Sequence, residues 1–212
     1  MSDVSASLYA FDAPYLAQFG RVCGVDEAGR GPLCGPVSVA AVILDETRPI
    51  PGLNDSKKLS EQKREALYPL IVERAVSWKV VLVDAATIDE RNILGATLLG
   101  MQQAVAGLAV RPALALVDGN RPPQLENVPV QCLVRGDGCS AAIAAASVLA
   151  KVTRDRYMEE LDRQYPQYRL AKHKGYPTKE HYALLAQYGL QPFYRRSFLK
   201  NWDGLAKQDS NR

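Results

Sequence analysis

Runs of apolar, mostly β-branched residues recur along the chain and predict strands. Segments 21–26 (RVCGVD) and 35–44 (GPVSVAAVIL) flank a Gly/Pro turn, which predicts an antiparallel pair, and segment 75–84 (AVSWKVVLVD) predicts a third strand. Two later runs, ALALVDGN and VPVQCLVRGDG, predict strands that stop at Asp118 and Asp137, each directly before a glycine. The pattern therefore predicts five strands.

Helical periodicity fills the remaining segments. Ser60 is a predicted N-cap for LSEQKREALYPLIVERA, and Thr87 with Glu90 forms a predicted capping box that opens DERNILGATLLGMQQAVAGLA. A long helix rich in small residues, SAAIAAASVLAKVTRDRYMEELDRQY, follows the fifth strand, and 178–188 predicts a shorter helix. The first dozen and the last eight or so residues are predicted to be frayed.

This order of elements predicts an α/β fold, in which a mixed five-stranded sheet carries an antiparallel meander with parallel strands beside it. Asp26, Asp118 and Asp137 each end a predicted strand. Ligand sites collect at the carboxyl ends of adjacent parallel strands, so we expect these three side chains to converge. We also expect Glu27 to join them, because a strand that ends at Glu27 and is loosened by Gly29 would let both neighbouring acids turn the same way.

Four carboxylates in one cleft repel each other and require positive charge among them. Oxygen ligands without His or Cys favour Mg²⁺ or Mn²⁺, and a pair of such ions ~3.5–4 Å apart could cleave a phosphodiester. From spacing alone, ordinary Asp-Gly turns at strand ends remain the alternative.

Composition limits the class of protein. The 212 residues are 47% hydrophobic and 23% charged, which is typical of a globular chain, and no apolar run approaches the ~18 residues that span a membrane. Four cysteines without C-x-x-C spacing indicate free thiols and a cytoplasmic protein. Residues 163–212 contain 10 Lys and Arg against 3 Asp and Glu. This basic end suggests a polyanionic partner, although a solvated charged face remains the alternative.

Six motifs occur in an order that resembles the ribonuclease HII family, and its bacterial branch fits best. They cover roughly residues 20–200 and read DEAGRGP, NDSKKLS, LVDGN, GDG followed by SAAIAAASVLAKVTRD, HKGYPTKEH and YRRSF. The resemblance implies a ribonuclease H-like fold with an N-terminal segment (1–20), a catalytic domain (21–163) and a basic, substrate-contacting C-terminal helical extension (164–212).

The family's activity implies cleavage of RNA in RNA/DNA hybrids and nicking 5′ of ribonucleotides embedded in duplex DNA. A metal-activated water would attack in line and leave 5′-phosphate and 3′-hydroxyl ends. Asp26, Glu27 and Asp118 match the metal-binding acids of the family, and Asp137 matches its fourth active-site acid. The resemblance implies Mg²⁺ or Mn²⁺ as cofactor and a nucleic acid duplex as partner.

Other positions are expected to contact substrate. Backbone groups of the Gly-Arg-Gly turn could read a 2′-hydroxyl, Tyr176 matches a family tyrosine that stacks on the sugar, two lysines could contact phosphates, and two residues one helical turn apart could face the substrate. The full set is Gly29, Arg30, Gly31, Lys57, Lys58, Ser147, Lys151 and Tyr176.

Further residues have weaker assignments. Asp155 matches a family acid and is expected to pair with a nearby Arg, while His173 and His181 are expected at the surface or on substrate. Tyr194 stands where the family often has His, which puts only C-terminal packing or a backbone contact in doubt. A monomer is expected. A non-catalytic nucleic-acid-binding module and a related nuclease for branched DNA remain the alternatives.

Overall fold

The computed structural model describes residues 4–202, with a five-stranded sheet at their centre. The strands are β1 Val22–Ala28, β2 Val37–Ile43, β3 Ser77–Val83, β4 Leu114–Asp118 and β5 Val130–Leu133. Their order is β3-β2-β1-β4-β5; the β1–β2 and β2–β3 pairs are antiparallel, whereas β1–β4 and β4–β5 are parallel. The predicted mixed α/β sheet is confirmed.

Helices cover both faces of the sheet. They are α1 Val4–Phe19, α2 Glu61–Arg74, α3 Ala85–Ala106, α4 Ala141–Gln164, α5 Leu170–His173 and α6 Lys179–Tyr188. Alternate residues of β2 enter two cores: Val39 and Ala41 pack with residues of α3, whereas Ala40 and Val42 pack with residues of α2 and α4. No helix within residues 4–202 is long and apolar enough to cross a membrane.

The first turns of α4 approach β1 closely. Residues 141–146 are Ala or Ile and all are buried, so their small side chains let the helix backbone lie near the sheet. At Gly24 a Cβ atom would fall 2.0 Å from the carbonyl carbon of Ala142. Glycine in β1 and alanine in α4 therefore set the distance between the helix and the strand that carries Asp26.

The first dozen residues were predicted to be frayed; residues 4–12 belong to helix α1, so the prediction is wrong for them, and residues 1–3 lie outside the described residues. Ser5, Leu8 and Asp12 of this helix are buried, and Asp12 Oδ2 accepts a hydrogen bond at 2.9 Å from the backbone N–H of Ala142 in the first turn of α4. A carboxylate at a helix N-terminus is favourable because it satisfies a free N–H and opposes the helix dipole. Contacts with distant residues therefore stabilise a segment whose local pattern is weak.

Helix α3 also begins differently from its prediction. Asp84 is the N-cap, with its carboxylate accepting from Thr87 N at 2.8 Å, so Thr87 and Glu90 do not form the predicted capping box. Asn92 has φ 58° inside the element, and its Oδ1 accepts from Leu94 N at 3.0 Å. An internal cap therefore divides α3 into two helical pieces. By contrast, the predicted cap at Ser60 is confirmed.

The C-terminal residues pack on the end of α4 and on the loop after β1. Their core joins Leu33 and Cys34 of that loop to Met158 of α4 and to Tyr168 and Tyr194. The predicted helix over 178–188 is confirmed as α6, while the predicted fraying of the last eight residues lies outside the described residues. The division at 20/21 and 163/164 stays a prediction. The four cysteines are free, as expected, although Cys139 is exposed.

The close approach at Gly24 can be tested by adding one methyl group. Gly24→Ala should lower the free energy of unfolding by about 3 kcal/mol or more, because backbone atoms of α4 cannot move away easily. That loss corresponds to a fall in Tm of roughly 6–12 °C for a chain of this size.

Gly52→Ala is the matched control. Gly52 has φ +78° with nothing within 4 Å of the added Cβ, so only backbone strain of about 1–2 kcal/mol is expected. Thermal unfolding of both variants measures the difference. Equal losses would show that the distance between β1 and α4 is not limited by Gly24.

Candidate active site

Two aspartates lie side by side at the edge where β1 and β4 end. Asp26 is near the end of β1, and Asp118 is the last residue of β4. The strands are parallel, and their register pairs Val25 with Val117, so the next residue of each strand falls at the same level. The convergence of these two side chains, expected from the apolar runs, follows directly from the pairing.

A third aspartate reaches the same edge from a short 3-10 helix, Gly136–Gly138. Strand β5 ends at Leu133, so the prediction that this strand ends at Asp137 is wrong. Arg135, with φ 59°, turns the chain into the 3-10 helix. The first N–H of that helix donates to Asp118 Oδ1 at 2.7 Å, which ties the turn to β4.

We call Asp26, Asp118 and Asp137 the acidic trio. Each offers one carboxylate oxygen, and these oxygens all lie within 4.8 Å of one another. Asp26 and Asp137 are buried, while Asp118 is partly exposed. Hard divalent cations such as Mg²⁺ and Mn²⁺ prefer carboxylate oxygens at about 2.0–2.2 Å. The donor atoms of the trio therefore fit such a cation.

Electrostatics make the bare trio unfavourable. Burial raises the pKa of Asp26 well above its ordinary value, and the charges of Glu27, Asp118 and Asp137 raise it further. Burial also raises the pKa of Asp118, with the charge of Asp137 adding to the effect. A hydrogen bond from Glu27 N to Asp26 Oδ1, at 2.7 Å, opposes the shift at Asp26 but does not reverse it. Ionised carboxylates at this corner need a nearby positive charge.

Glu27 lies beside the trio. Strand β1 continues to Ala28, so it does not end at Glu27 as predicted. The Glu27 carboxylate is 3.4 Å from the guanidinium of Arg30, and its oxygens do not belong to the group that lies within 4.8 Å. Burial raises the pKa of Glu27, while Arg30 lowers it and Asp118 raises it. Glu27 therefore faces the same cavity as Asp26 and Asp118, and its carboxylate is paired with the guanidinium of Arg30.

A cavity of about 270 Å³ contains most of these groups. Its walls combine acids, cations, the Gly-Arg-Gly turn and one aromatic ring. The lining residues are Asp26, Glu27, Ala28, Gly29, Arg30, Gly31, Ser56, Lys57, Arg64, Asp118, Lys151, Arg154 and Tyr176. The structure thus brings together most of the residues expected from the sequence to bind metal or substrate. Two larger cavities formed by residues within 4–202 lack such a cluster of acids.

Lys57 and Lys58 belong to a short 3-10 helix, Ser56–Lys58, before α2. Lys57 Nζ lies 2.7 Å from Asp137 Oδ2, whereas Lys58 Nζ lies 3.8 Å from Asp55 Oδ2. Partial burial lowers the pKa of Lys57, but the hydrogen bond to Asp137 and the charges of Asp137, Asp26 and Asp55 together raise that pKa above its ordinary value. The two neighbouring lysines therefore differ: one touches the acidic trio and the other does not.

A buried arginine holds the turn after β1, and sequence reasoning missed this role. Arg195 is fully buried and donates to the carbonyl oxygens of Gly29 at 2.7 Å, Arg30 at 3.0 Å, Pro32 at 2.8 Å and Gly35 at 2.9 Å. Burial, with the nearby charge of another arginine, lowers its pKa to about 10. The YRRSF motif was the available signal, because it pointed to the C-terminal region without showing which backbone it binds.

Arg154 of α4 is a second buried arginine that the sequence did not single out. It donates to the carbonyl oxygens of Cys34, Pro36 and Lys174 at 3.0–3.2 Å. A Cβ at Gly29, where φ is +91°, would fall 1.9 Å from Arg154 Nε. Glycine is therefore required at position 29 by the packing of Arg154, in addition to any approach of substrate.

Tyr176 lies at the mouth of the cavity and is 45% exposed. A Cβ at Gly31 would fall 3.7 Å from Tyr176 Cε1, so the turn and the ring are near neighbours. The carbonyl of Tyr176 accepts from His181 Nδ1 at 2.9 Å, and His181 Nε2 accepts from Tyr194 OH at 3.0 Å. This chain of bonds fixes the backbone beneath an exposed ring.

The expected placement of both histidines at the surface or on substrate is wrong. His173 and His181 are buried and stack on each other with ring centroids 4.1 Å apart. Burial lowers the pKa of His181 to about 4, so its ring is neutral near pH 7. Both rings serve the packing of the C-terminal core. Tyr194, the departure from the family pattern that put this packing in doubt, takes part in it.

The residues predicted on the substrate face of α4 separate into two environments. Ser147 is buried; its hydroxyl donates to Ala144 O at 2.9 Å and accepts from Ser56 N at 3.3 Å. It therefore holds the 3-10 helix Ser56–Lys58 instead of facing the cavity. Lys151 does line the cavity. Asp155 pairs with Lys151 at 2.7 Å, so the expected Arg partner is wrong.

Known proteins show the same fold. The ribonuclease H2 from Pyrococcus horikoshii OT3 has a TM-score of 0.75 and 29% identity, covering 90% of this chain and 98% of that chain. The RNase HII in a structure from Archaeoglobus fulgidus has a TM-score of 0.70 and 26% identity, with 86% and 95% coverage. Fold and acidic site together therefore define a nuclease of the ribonuclease H class.

Sequence comparisons identify the family within that class. The family model for Ribonuclease HII matches residues 23–201. The ribonuclease HII of Shewanella amazonensis is 57% identical over 189 residues, covering 88% of this chain and 91% of that protein. The protein from Dechloromonas aromatica is 58% identical over 183 residues, with 86% and 93% coverage. The chain belongs to the ribonuclease HII family and is a divalent-metal-dependent nuclease with ribonuclease H activity on RNA/DNA hybrids.

The negative charge of Asp26 should destabilise the folded protein when no metal is bound. The pKa of Asp26 is raised in the folded protein, so the free energy of unfolding falls as pH rises through that folded pKa. The loss is absent below the pKa of Asp26 in the unfolded chain, ~3.9. Asp26→Asn removes the charge and should raise Tm without divalent ions at neutral pH by at least ~2–4 °C, equivalent to about 1 kcal/mol.

Thermal unfolding in a chelator measures this effect. Asp45→Asn is the control, since Asp45 is partly exposed and its carboxylate is stabilised by hydrogen bonds from Thr47, so no gain is expected. A metal-free Asp26→Asn variant less stable than wild type would contradict the electrostatic description of the trio.

Proposed function

We propose that this enzyme nicks duplex DNA 5′ of an embedded ribonucleotide and cleaves the RNA strand of hybrids, leaving 5′-phosphate and 3′-hydroxyl ends. The observation that carries the proposal is the acidic trio, two of whose members, Asp26 and Asp118, line one cavity with the Gly-Arg-Gly turn and Tyr176. A set of oxygen donors for hard cations thus lies beside groups suited to contact a sugar.

The proposed cofactor is Mg²⁺ or Mn²⁺, with two ions in use during cleavage. Asp26, Asp118 and Asp137 would hold the cations together with Glu27, whose carboxylate lines the same cavity. When bound, such ions activate water and stabilise the leaving oxygen of a phosphodiester. The protein holds the carboxylates close together, and the hydrogen bond from the 3-10 helix to Asp118 orients that side chain.

Backbone groups of the turn would distinguish ribonucleotide from deoxyribonucleotide. The carbonyl oxygens of Gly29 and Arg30 already accept from Arg195, so the N–H groups of the turn are the backbone groups most suited to meet a 2′-hydroxyl. Gly31 has no side chain to obstruct a sugar. The exposed ring of Tyr176, adjacent to Gly31, would pack on that sugar.

Cations around the cavity would contact phosphates. Lys57, Lys58 and Lys151 remain the proposed contacts, and Lys151 is already oriented by Asp155. Ser147 would act indirectly, by holding the 3-10 helix that carries Lys57 and Lys58, since its hydroxyl is buried. A monomer and a cytoplasmic location stay predictions from the sequence.

A duplex with one embedded ribonucleotide tests the activity. Wild type should nick it 5′ of the ribonucleotide with Mg²⁺ or Mn²⁺ and not in a chelator. Asp118→Asn should reduce the nicking rate by about 10³-fold or more, because a metal ligand is lost, while duplex affinity changes by less than ~3-fold. Failure of wild type with both ions would refute the proposed activity, and indifference to the 2′-hydroxyl would favour another nuclease.

Discrimination at the turn can be tested apart from binding. Tyr176→Ala should reduce nicking of the embedded ribonucleotide by roughly 10- to 100-fold, since stacking contributes about 1–3 kcal/mol. Gly31→Ala should also impair nicking, because the new methyl group lies between the turn and the ring. Gly29→Ala is less informative, since it displaces Arg154.

Affinity for a ribonucleotide-free duplex provides the comparison, and Tyr176→Phe, which keeps the ring, is the control. The Phe variant should retain most of the nicking rate. If Tyr176→Ala and Gly31→Ala lost nicking and duplex affinity equally, the turn and the ring would be general binding groups without a role in discrimination.

A further inference from the structure

Lys57 provides the positive charge that the structure places on the acidic trio. Its Nζ lies 2.7 Å from Asp137 Oδ2, and the two side chains differ greatly in exposure, 73% for Lys57 and 5% for Asp137. A long side chain from the surface thus reaches down to a buried carboxylate. An ammonium at this distance forms a charge-assisted hydrogen bond and reduces the repulsion among the three acids.

The backbone that carries Lys57 is held firmly in place. Lys57 N donates to Asp55 Oδ1 at 2.9 Å, and Arg64 donates to the carbonyl oxygens of Ser56 at 3.0 Å and Leu59 at 2.7 Å. From below, Ser147 Oγ accepts from Ser56 N at 3.3 Å. These contacts leave the side chain of Lys57 as the part of the turn that can change partner while the backbone stays fixed.

A divalent cation and an ammonium compete for the same carboxylate. Both would lie within a few ångströms of Asp137 Oδ2, where like charges repel strongly in a partly buried site. Because Lys57 is largely exposed and flexible, its side chain can leave at lower cost than any member of the trio.

We propose that Lys57 is a displaceable counter-cation: it neutralises Asp137 in the metal-free enzyme, and metal binding releases its ammonium to a backbone phosphate of the nucleic acid. The inference rests on the proposed metal site and adds a coupling between that site and substrate binding. Metal entry and phosphate contact would then favour each other, since both require the pair between Lys57 and Asp137 to open.

Lys58 offers a matched comparison within the same turn. It carries the same charge on the same 3-10 helix, is 62% exposed, and has Asp55 as its partner at 3.8 Å. Loss of the Lys58 charge therefore reports the general effect of one fewer lysine near the site. Any additional effect at Lys57 reports its direct contact with Asp137.

Calorimetric titration of Mn²⁺ into the full chain, without nucleic acid, tests the competition. Lys57→Met keeps the length of the side chain without its charge and should tighten Mn²⁺ binding on the order of tenfold, because a like charge next to the ion is removed. Lys58→Met should change the affinity for Mn²⁺ by less than ~3-fold. Lys57→Gln serves as a second variant and should tighten binding in the same direction.

Thermal unfolding gives an independent readout. Without metal, Lys57→Met should melt below wild type, because Asp137 loses its partner; with saturating Mn²⁺, the difference should disappear. A variant that melts below wild type by the same amount in both conditions would overturn the proposal, since Lys57 would then be a structural ion pair that persists with metal.

Duplex affinity tests the release step. With a ribonucleotide-free DNA duplex, Lys57→Met should weaken binding in Mn²⁺ and lower the salt dependence by about one phosphate contact, but should have little effect in a chelator. An equal loss in both conditions would contradict release by metal.

The outcomes separate this inference from the proposed function. If wild type does not bind Mn²⁺, the metal site itself is refuted and the inference with it. If wild type binds Mn²⁺ and Lys57→Met binds it with equal or lower affinity, the metal site stands and the counter-cation role is refuted.

Discussion

Repulsion among three carboxylates in one corner is the constraint on which the rest of this structure depends. The parallel pairing of β1 and β4 brings Asp26 next to Asp118, and a short 3-10 helix, bonded to Asp118 through the N–H of Gly136, adds Asp137. A fold stable without any ligand would avoid this arrangement. Here the close contact of β1 with α4 at Gly24 holds the strand that carries Asp26 in place, so the fold tolerates a local cost at the proposed cation site.

Two buried arginines are the second feature on which the site depends. Arg154 and Arg195 do not neutralise the acids; their guanidinium groups bind backbone carbonyls and hold the turn that follows β1. Because one arginine belongs to α4 and the other to the C-terminal residues, the turn beside the acids depends on packing of the C-terminal core. The proposed metal site and the turn proposed to contact the sugar are thus built from the same strand, yet different distant elements stabilise each of them.

Much of this arrangement was predictable from sequence, for identifiable reasons. Apolar runs led to Asp26, Asp118 and Asp137 as neighbouring acids, although strand β5 ends earlier, at Leu133, and the family motifs added Tyr176. Helix α1 was missed because its stability comes from Asp12 binding a distant helix end, and the roles of the two buried arginines were missed because their acceptors are distant carbonyls. Contacts of this kind leave little periodic signal in the chain.

The most direct test of the central claim is the anomalous diffraction of manganese in a crystal of the enzyme grown with Mn²⁺. We expect at least one anomalous peak within coordinating distance, about 2.0–2.4 Å, of oxygens from Asp26 and Asp118, with Asp137 bound directly or through water. Absence of a peak at this corner in crystals of active enzyme, or strong peaks elsewhere with the trio empty, would contradict the claim that these three aspartates form the metal site.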